Sequence, residues 1–288
     1  MESISGTNQR HIQDKTVLIT GGTGSFGRGF VKEALSFSPR IIRVFSNDEA
    51  SQVEMREDFR QHKNIRYLLG DVRDKERLNR AMNGVEIVIH AAAIKHVPVC
   101  EYDPGEAIKT NVLGSINVAE CAMDNGVPKV VFISSDKAVH PISLYGATKL
   151  CAERYFLSLY GYSPLKFSCI RFGNFWGSRG SVIDKWMKQR MKGEPIEITD
   201  KDMTRYFITV EEAARFTIGI IDRMRGGEVF VPIMPTHTLA ELASTLAPDS
   251  QITFIGKRKG EKKHEELLSE EDIKYAQKLG DCWVIRYS

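Results

Sequence analysis

Tyr145 and Lys149 stand four residues apart in Leu144-Tyr145-Gly146-Ala147-Thr148-Lys149. On a helix that spacing puts both side chains on one face. A tyrosine, with an unperturbed pKa near ~10, is a poor base at neutral pH. An ammonium beside it stabilises the phenolate and lowers that value. The pair reads as a base that takes a proton from a hydroxyl while hydride leaves the same carbon. Just upstream, the apolar run from Lys129 ends in Ser134-Ser135-Asp136-Lys137, which sets a carboxyl and an amine side by side.

A hydride needs an acceptor, and the chain's first apolar run leads to one. Thr16–Thr20 is followed by Gly21-Gly22-Thr23-Gly24-Ser25-Phe26-Gly27. Glycines at 21, 24 and 27 suit a tight turn, close approach of backbone to a pyrophosphate and close packing of the next helix. The pyrophosphate then sits at a helix N-terminus, where free N–H groups and the dipole favour anions. The second run ends in Ser46-Asn47-Asp48-Glu49, about 20 residues on, where an acid binds a ribose 2′-OH and a nearby Arg favours a 2′-phosphate. Asp71, before Val72 at the end of the third run, is placed to accept from an adenine amino group.

These residues resemble the extended short-chain dehydrogenase/reductases. The match includes the Thr20–Gly27 loop, Asp71-Val72, His90-Ala91-Ala92-Ala93, Asn111, Ser134-Ser135 and Tyr145 with Lys149. Within that superfamily the chain is similar to the nucleotide-sugar 4,6-dehydratases of surface-glycan synthesis. That likeness rests on Ala93-Ile94-Lys95-His96-Val97-Pro98, Ser134–Ala138, Arg171-Phe172-Gly173-Asn174, Gly177–Val182, Ile198-Thr199-Asp200, Met203-Thr204-Arg205 and Gly260–Glu265.

The resemblance implies oxidation at C4, loss of water across C5 and C6, and return of the hydride to C6. Its substrate would be UDP-N-acetylglucosamine or a related UDP-hexose, with inversion at C5. Tyr145 would deprotonate the C4 hydroxyl, with Lys149 tuning it. Asp136 would protonate the leaving C6 hydroxyl, and Lys137 would remove the C5 proton; both need shifted pKa values. The cofactor, NADP with NAD as the alternative, would be held by Gly21, Thr23, Gly24, Ser25, Phe26, Gly27, Ser46, Asn47, Asp48, Asp71, Val72, Ala91, Ala92, Ala93 and Asn111, with Tyr145 and Lys149. Asn47 stands where the family often has an Arg for the 2′-phosphate. Lys95, Ser134, Ser135, Asn174, Arg179, Val182, Thr199, Arg205 and Glu261 would touch the substrate. The runner-up is a UDP-sugar epimerase of the same superfamily, and behind it a dinucleotide-binding protein without chemistry.

The elements needed to position these groups are visible as pattern. Short β-branched runs begin near residues 16, 41, 65, 85, 129 and 167, and helix-compatible stretches span 26–36, 106–125 and 143–160. Strands alternating with helices imply a parallel sheet, here a doubly wound Rossmann-like α/β fold. We expect a flexible leader over 1–15, a dinucleotide-binding domain over 16–170 and a smaller, partly interleaved substrate lobe over 171–288. In that lobe 210–224 and 239–246 read as helices, and 228–232 and 252–255 as strands.

Composition narrows the class. The chain has 288 residues, 42% hydrophobic and 27% charged, which is ordinary for a globular protein. Lys+Arg 40 against Asp+Glu 37 gives +3, too balanced for a dedicated nucleic-acid binder. The basic run Lys257–Lys263 reads as a solvated loop. Five scattered cysteines without C-x-x-C argue for a reducing compartment, hence the cytoplasm. Neither a metal-ligand pattern nor an apolar run of about 20 residues occurs, so no metal and no membrane partner are expected. The resemblance implies a homo-oligomer, a dimer or hexamer.

Overall fold

The computed structural model describes residues 11–287. The chain runs β1 (Thr16–Thr20), α1 (Ser25–Leu35), β2 (Ile41–Ser46), α2 (Glu49–Asp58), β3 (Ile65–Leu69), α3 (Lys75–Met82) and β4 (Ile87–His90). It continues through α4 (Val97–Tyr102), α5 (Pro104–Ile108), a π-helical turn (Lys109–Leu113), α6 (Gly114–Asp124), β5 (Lys129–Ser135), a 3-10 turn (Asp136–Ala138), α7 (Leu144–Ser158) and β6 (Lys166–Phe172). The remainder is β7 (Asn174–Phe175), α8 (Val182–Met191), β8 (Ile196–Ile198), β9 (Thr204–Ile208), α9 (Val210–Arg223), β10 (Glu228–Pro232), β11 (Thr236–Thr238), α10 (Leu239–Leu246), β12 (Ile252–Phe254), α11 (Glu270–Tyr275), β13 (Ala276–Leu279) and β14 (Cys282–Arg286).

Nine strands form the main sheet in the order β13-β14-β10-β6-β5-β4-β1-β2-β3. From β3 to β10 every pairing is parallel; β14 then runs antiparallel to β10, and β13 antiparallel to β14. The strands β1 and β4 to β6 are buried almost throughout, which is why they read as unbroken apolar runs. Strand order reverses between β1 and β4, and a doubly wound sheet opens its ligand crevice at that point.

A second core lies outside this sheet. Ile183, Trp186, Ile196, Ile198, Met203, Phe207, Leu239 and Leu242 pack together between α8, α10 and the short strands. This lobe holds two small sheets, β11-β9-β7 and β12-β8.

Two expectations need revision. A leader over 1–15 is too long: Met1–Arg10 lie outside the described residues, but Ile12 is fully buried in the main core and Asp14 N–H donates to the Ser38 carbonyl at 3.1 Å. The fold therefore starts before Thr16. The lobe drawn over 171–288 is interleaved more deeply than a boundary at 170 suggests. Helix α9 packs on α1, and β10, β14 and β13 extend the main sheet beyond β6.

Candidate active site

The ends of β1, β2, β4, β5 and β6 open into a cleft of about 700 Å³ that the small lobe covers. That size and its mixed polar and apolar walls suit a bound small molecule.

Its floor is the glycine loop. Gly21 has φ +64°, and a Cβ there would lie 2.8 Å from the Ala92 backbone, so the turn and the β4 loop meet only because the residue is glycine. Gly24 is the N-cap of α1; no side chain caps the helix and no acid stands in its first turn, which leaves the N–H groups for an anion. The Thr23 and Ser46 hydroxyls are 2.7 Å apart and join the loop to the end of β2. A pyrophosphate group fits this floor.

The residues beyond β2 and β3 are more committed than the sequence suggests. Asp48 caps α2 by accepting from Ser51 N–H at 2.9 Å and Ser51 Oγ at 2.7 Å. Those bonds, with Arg179 and Arg28 nearby, hold its carboxyl below the usual range. Asn47 Nδ2 donates to Asp71 at 2.9 Å, and Arg73 pairs with the same carboxylate at 2.7 Å. Asp71 and Val72 line a side pocket of about 250 Å³ that continues past Asn47, Ala92 and Ala93. Asn111 does not reach the cleft. Its amide accepts from Ile94 N–H at 2.8 Å and donates to the Ile94 carbonyl at 2.9 Å and Thr148 Oγ1 at 3.0 Å. The expected cofactor contact is replaced by a clamp holding the loop after β4.

Helix α7 brings Tyr145 and Lys149 to the cleft wall. Ser143 caps it by accepting from Gly146 N–H at 3.2 Å. Gly146 faces the 3-10 turn so closely that a Cβ would lie 2.2 Å from the Lys137 carbonyl oxygen. That glycine lets the Tyr/Lys helix touch the Asp/Lys turn. Lys149 Nζ donates to the Ile133 carbonyl at 2.5 Å and lies 4.2 Å from the Phe132 ring centre. Burial lowers its pKa to about 7. The spacing predicts that Lys149 lowers Tyr145; in the protein alone burial and the Asp136 carboxylate push it up, and the neighbouring Ser135 hydroxyl only partly opposes them. The dominant effect is desolvation of the phenolate.

Asp136 is fully buried. Its Oδ1 accepts from Ser135 Oγ at 2.7 Å and Lys137 Nζ at 3.0 Å, while its Oδ2 has no hydrogen-bond partner. Lys137 also donates to Asn174 Oδ1 at 3.3 Å. Of the two serines expected at the substrate, Ser134 turns inward and donates to Glu153 at 2.7 Å.

The small lobe supplies the roof. Val182, Thr199 and Glu261 line the cleft. Lys95 Nζ donates to the Arg179 carbonyl at 2.8 Å, and Arg179 in turn donates to the Thr23 carbonyl at 2.8 Å and, through its backbone N–H, to Ser25 Oγ at 3.0 Å. Arg179 therefore lies on the glycine loop rather than among the substrate groups. Arg205 lines the cleft, but its guanidinium is used on the Lys262 and Lys263 carbonyls at 2.9 and 3.1 Å. The basic run read as a solvated loop is partly built into the site, since Arg258, Gly260 and Glu261 line the cleft. Glu265, not singled out by its type or spacing, lines it as well and is buried.

A crevice at the strand-order switch, a glycine loop and a Tyr/Lys helix beside it define an extended short-chain dehydrogenase/reductase. Within that class the chain belongs to the polysaccharide biosynthesis protein family, whose profile matches residues 17–287. It is 46% identical over 263 residues to a UDP-N-acetylglucosamine 4,6-dehydratase (inverting) of Campylobacter jejuni, covering 90% of this chain and 78% of that one. It is 39% identical to a UDP-glucose 4-epimerase of Rickettsia canadensis over 283 residues, 94% of this chain and 83% of the other. The solved structure of Pen from Bacillus thuringiensis superposes with a TM-score of 0.93 at 40% identity, covering 96% of this chain and 89% of that one. Among the described residues no helix is long and apolar enough to cross a membrane.

Proposed function

We propose that the chain is a nucleotide-sugar 4,6-dehydratase that converts UDP-N-acetylglucosamine, or a related UDP-hexose, to its 4-keto-6-deoxy sugar with inversion at C5. The observation that carries this is the Asp136–Lys137 pair, with an unpartnered buried carboxylate oxygen, packed against the Tyr145 helix. An epimerase needs a base at one carbinol and nothing more. An acid and an amine beside that base are what an elimination needs. The reading agrees with the Campylobacter jejuni relative; the Rickettsia relative favours the epimerase, so the test has to separate the two.

When bound, the dinucleotide supplies a hydride acceptor at C4, a hydride donor at C6 and a positive ring that favours the phenolate. Tyr145 takes the C4 hydroxyl proton, with Lys149 as its charged neighbour. Lys137 takes the C5 proton, made acidic by the C4 ketone. The electron pair left at C5 forms the C5–C6 double bond, the C6–O bond breaks, and Asp136 protonates the departing oxygen. Moving one proton along the 3.0 Å Lys137–Asp136 contact turns the ion pair into the acid and amine this step requires. We further propose NADP as the dinucleotide, with Arg179, which lies on the glycine loop, answering a 2′-phosphate in place of the missing Arg at 47. The exposed apolar side chains Val99, Tyr102, Ile108 and Leu113 on and after α4 support a homo-oligomer.

Incubation with UDP-N-acetylglucosamine in heavy water tests the reaction. The expected product is one water lighter and carries deuterium at C5. A product of unchanged mass assigns an epimerase instead. Tyr145→Phe should lower kcat by about 10²–10⁴, the usual worth of a general base, while dinucleotide binding survives.

A further inference from the structure

Glu265 lies between β12 and α11, far along the chain from the 3-10 turn, yet its Oε1 is 3.8 Å from Lys137 Nζ. It is 7% exposed, and its Oε2 is buried without a hydrogen-bond partner. Lys262 Nζ, 3.6 Å from that oxygen, is a second ammonium in ion-pairing range of the same carboxylate. Lys137 is therefore faced by Asp136 on its own turn and by Glu265 from the small lobe.

The segment carrying Glu265 is fixed from several sides. Arg205 donates to the Lys262 and Lys263 carbonyls, Thr204 N–H donates to the Lys263 carbonyl at 3.0 Å, and Thr204 Oγ1 meets His264 Nδ1 at 2.8 Å. This much backbone anchoring around a buried carboxylate keeps it at the cleft beside Lys137 and Lys262 rather than leaving it to solvent.

We propose that Glu265 is a positioning residue that holds Lys137 over C5 through the elimination. The inference rests on the dehydratase reading. Asp136 ties Lys137 down only while it is a carboxylate. Once it carries the proton destined for the C6 oxygen it is neutral, and that ion pair is gone. Glu265 donates no proton in the reaction, so its charge stays beside the amine throughout. It also faces the ammonium that forms when the C5–H bond breaks and the new N–H bond is made on Lys137.

The test compares wild-type protein, Glu265→Gln and Glu265→Asp, each with UDP-N-acetylglucosamine in heavy water. In Glu265→Gln we expect kcat and C5 deuterium incorporation to fall about 10²-fold, the scale of a misplaced reacting group, with KM within about twofold. Oxidation at C4, read as absorbance of the reduced dinucleotide, should still occur and accumulate. Glu265→Asp should recover part of the loss. An unchanged kcat in Glu265→Gln overturns the proposal. So does a variant in which C4 oxidation, C5 exchange and melting temperature fall together, because that is merely structural damage. Wild-type protein that releases no water overturns the dehydratase reading instead, and this proposal with it.

Discussion

Lys149 shows how burial sets the terms of the chemistry. An ammonium enclosed at 4% exposure loses its hydration, and its pKa drops from 10.5 to about 7. The unfolded chain therefore binds more protons than the folded one between pH 7 and 10.5. By linkage, this residue's contribution to stability rises with pH across that window and is at its least favourable below it. Lys149→Met removes the titration. Urea unfolding of wild type and variant should show the variant's advantage shrinking as pH climbs from 7 toward 10.5. A difference that stays flat with pH would show that the buried amine does not titrate there. Such sites are legible in sequence when their spacing is local. Tyr145, Lys149, Asp136 and Lys137 fall within one strand end and the next helix. Glu265 is not legible that way, because it stands in a charged stretch whose ordinary fate is solvent.

Elements carry information that residue types do not. The stretch 106–125 reads as one helix. In the structure α5 and α6 are joined by a π-helical turn, and Asn111 lies in that turn. The wider turn accompanies an amide that bridges out to Ile94 and Thr148, the sort of local irregularity found near functional sites. The family pattern points to this residue as a cofactor contact, but its partners are the Ile94 backbone and the Thr148 hydroxyl. Asn111→Ala would remove both side-chain bonds to the half-buried Ile94 backbone, at about 1–3 kcal/mol. We expect a lower melting temperature and faster amide exchange over residues 91–96, the loop that walls the cleft. Exchange unchanged in that loop would mean the clamp does not hold it.

At the scale of the whole molecule, a boundary drawn along the sequence does not divide the packing. Alternating strands and helices made the first six strands legible. The return of the chain to the main sheet was not, since β13 and β14 follow a region whose pattern resembles a loop-rich lobe. A buried charge network ties that return to the site. Ser134, beside the 3-10 turn, donates to Glu153; Glu153 pairs with Arg171 at 2.6 Å; Arg171 pairs with Asp272 on α11 at 2.7 Å. All three charged side chains are nearly closed from solvent, and without Asp272 the Arg171 guanidinium keeps Glu153 as its remaining partner. Asp272→Ala should cost about 1.5–3 kcal/mol, the worth of a hydrogen bond to a charged group. For a chain of this size that lowers the melting temperature by roughly 2–5 °C. Burial pushes the Asp272 carboxyl up, but the Arg171 hydrogen bond and charge outweigh it and bring the pKa to about 2. Its contribution is therefore complete above the ordinary 3.8 and lost as pH falls through 2. The gap between wild type and Asp272→Ala should be wide near neutrality and narrow between about pH 4 and pH 2. A gap that holds constant into acid would assign the loss to packing of α11 rather than to its charge.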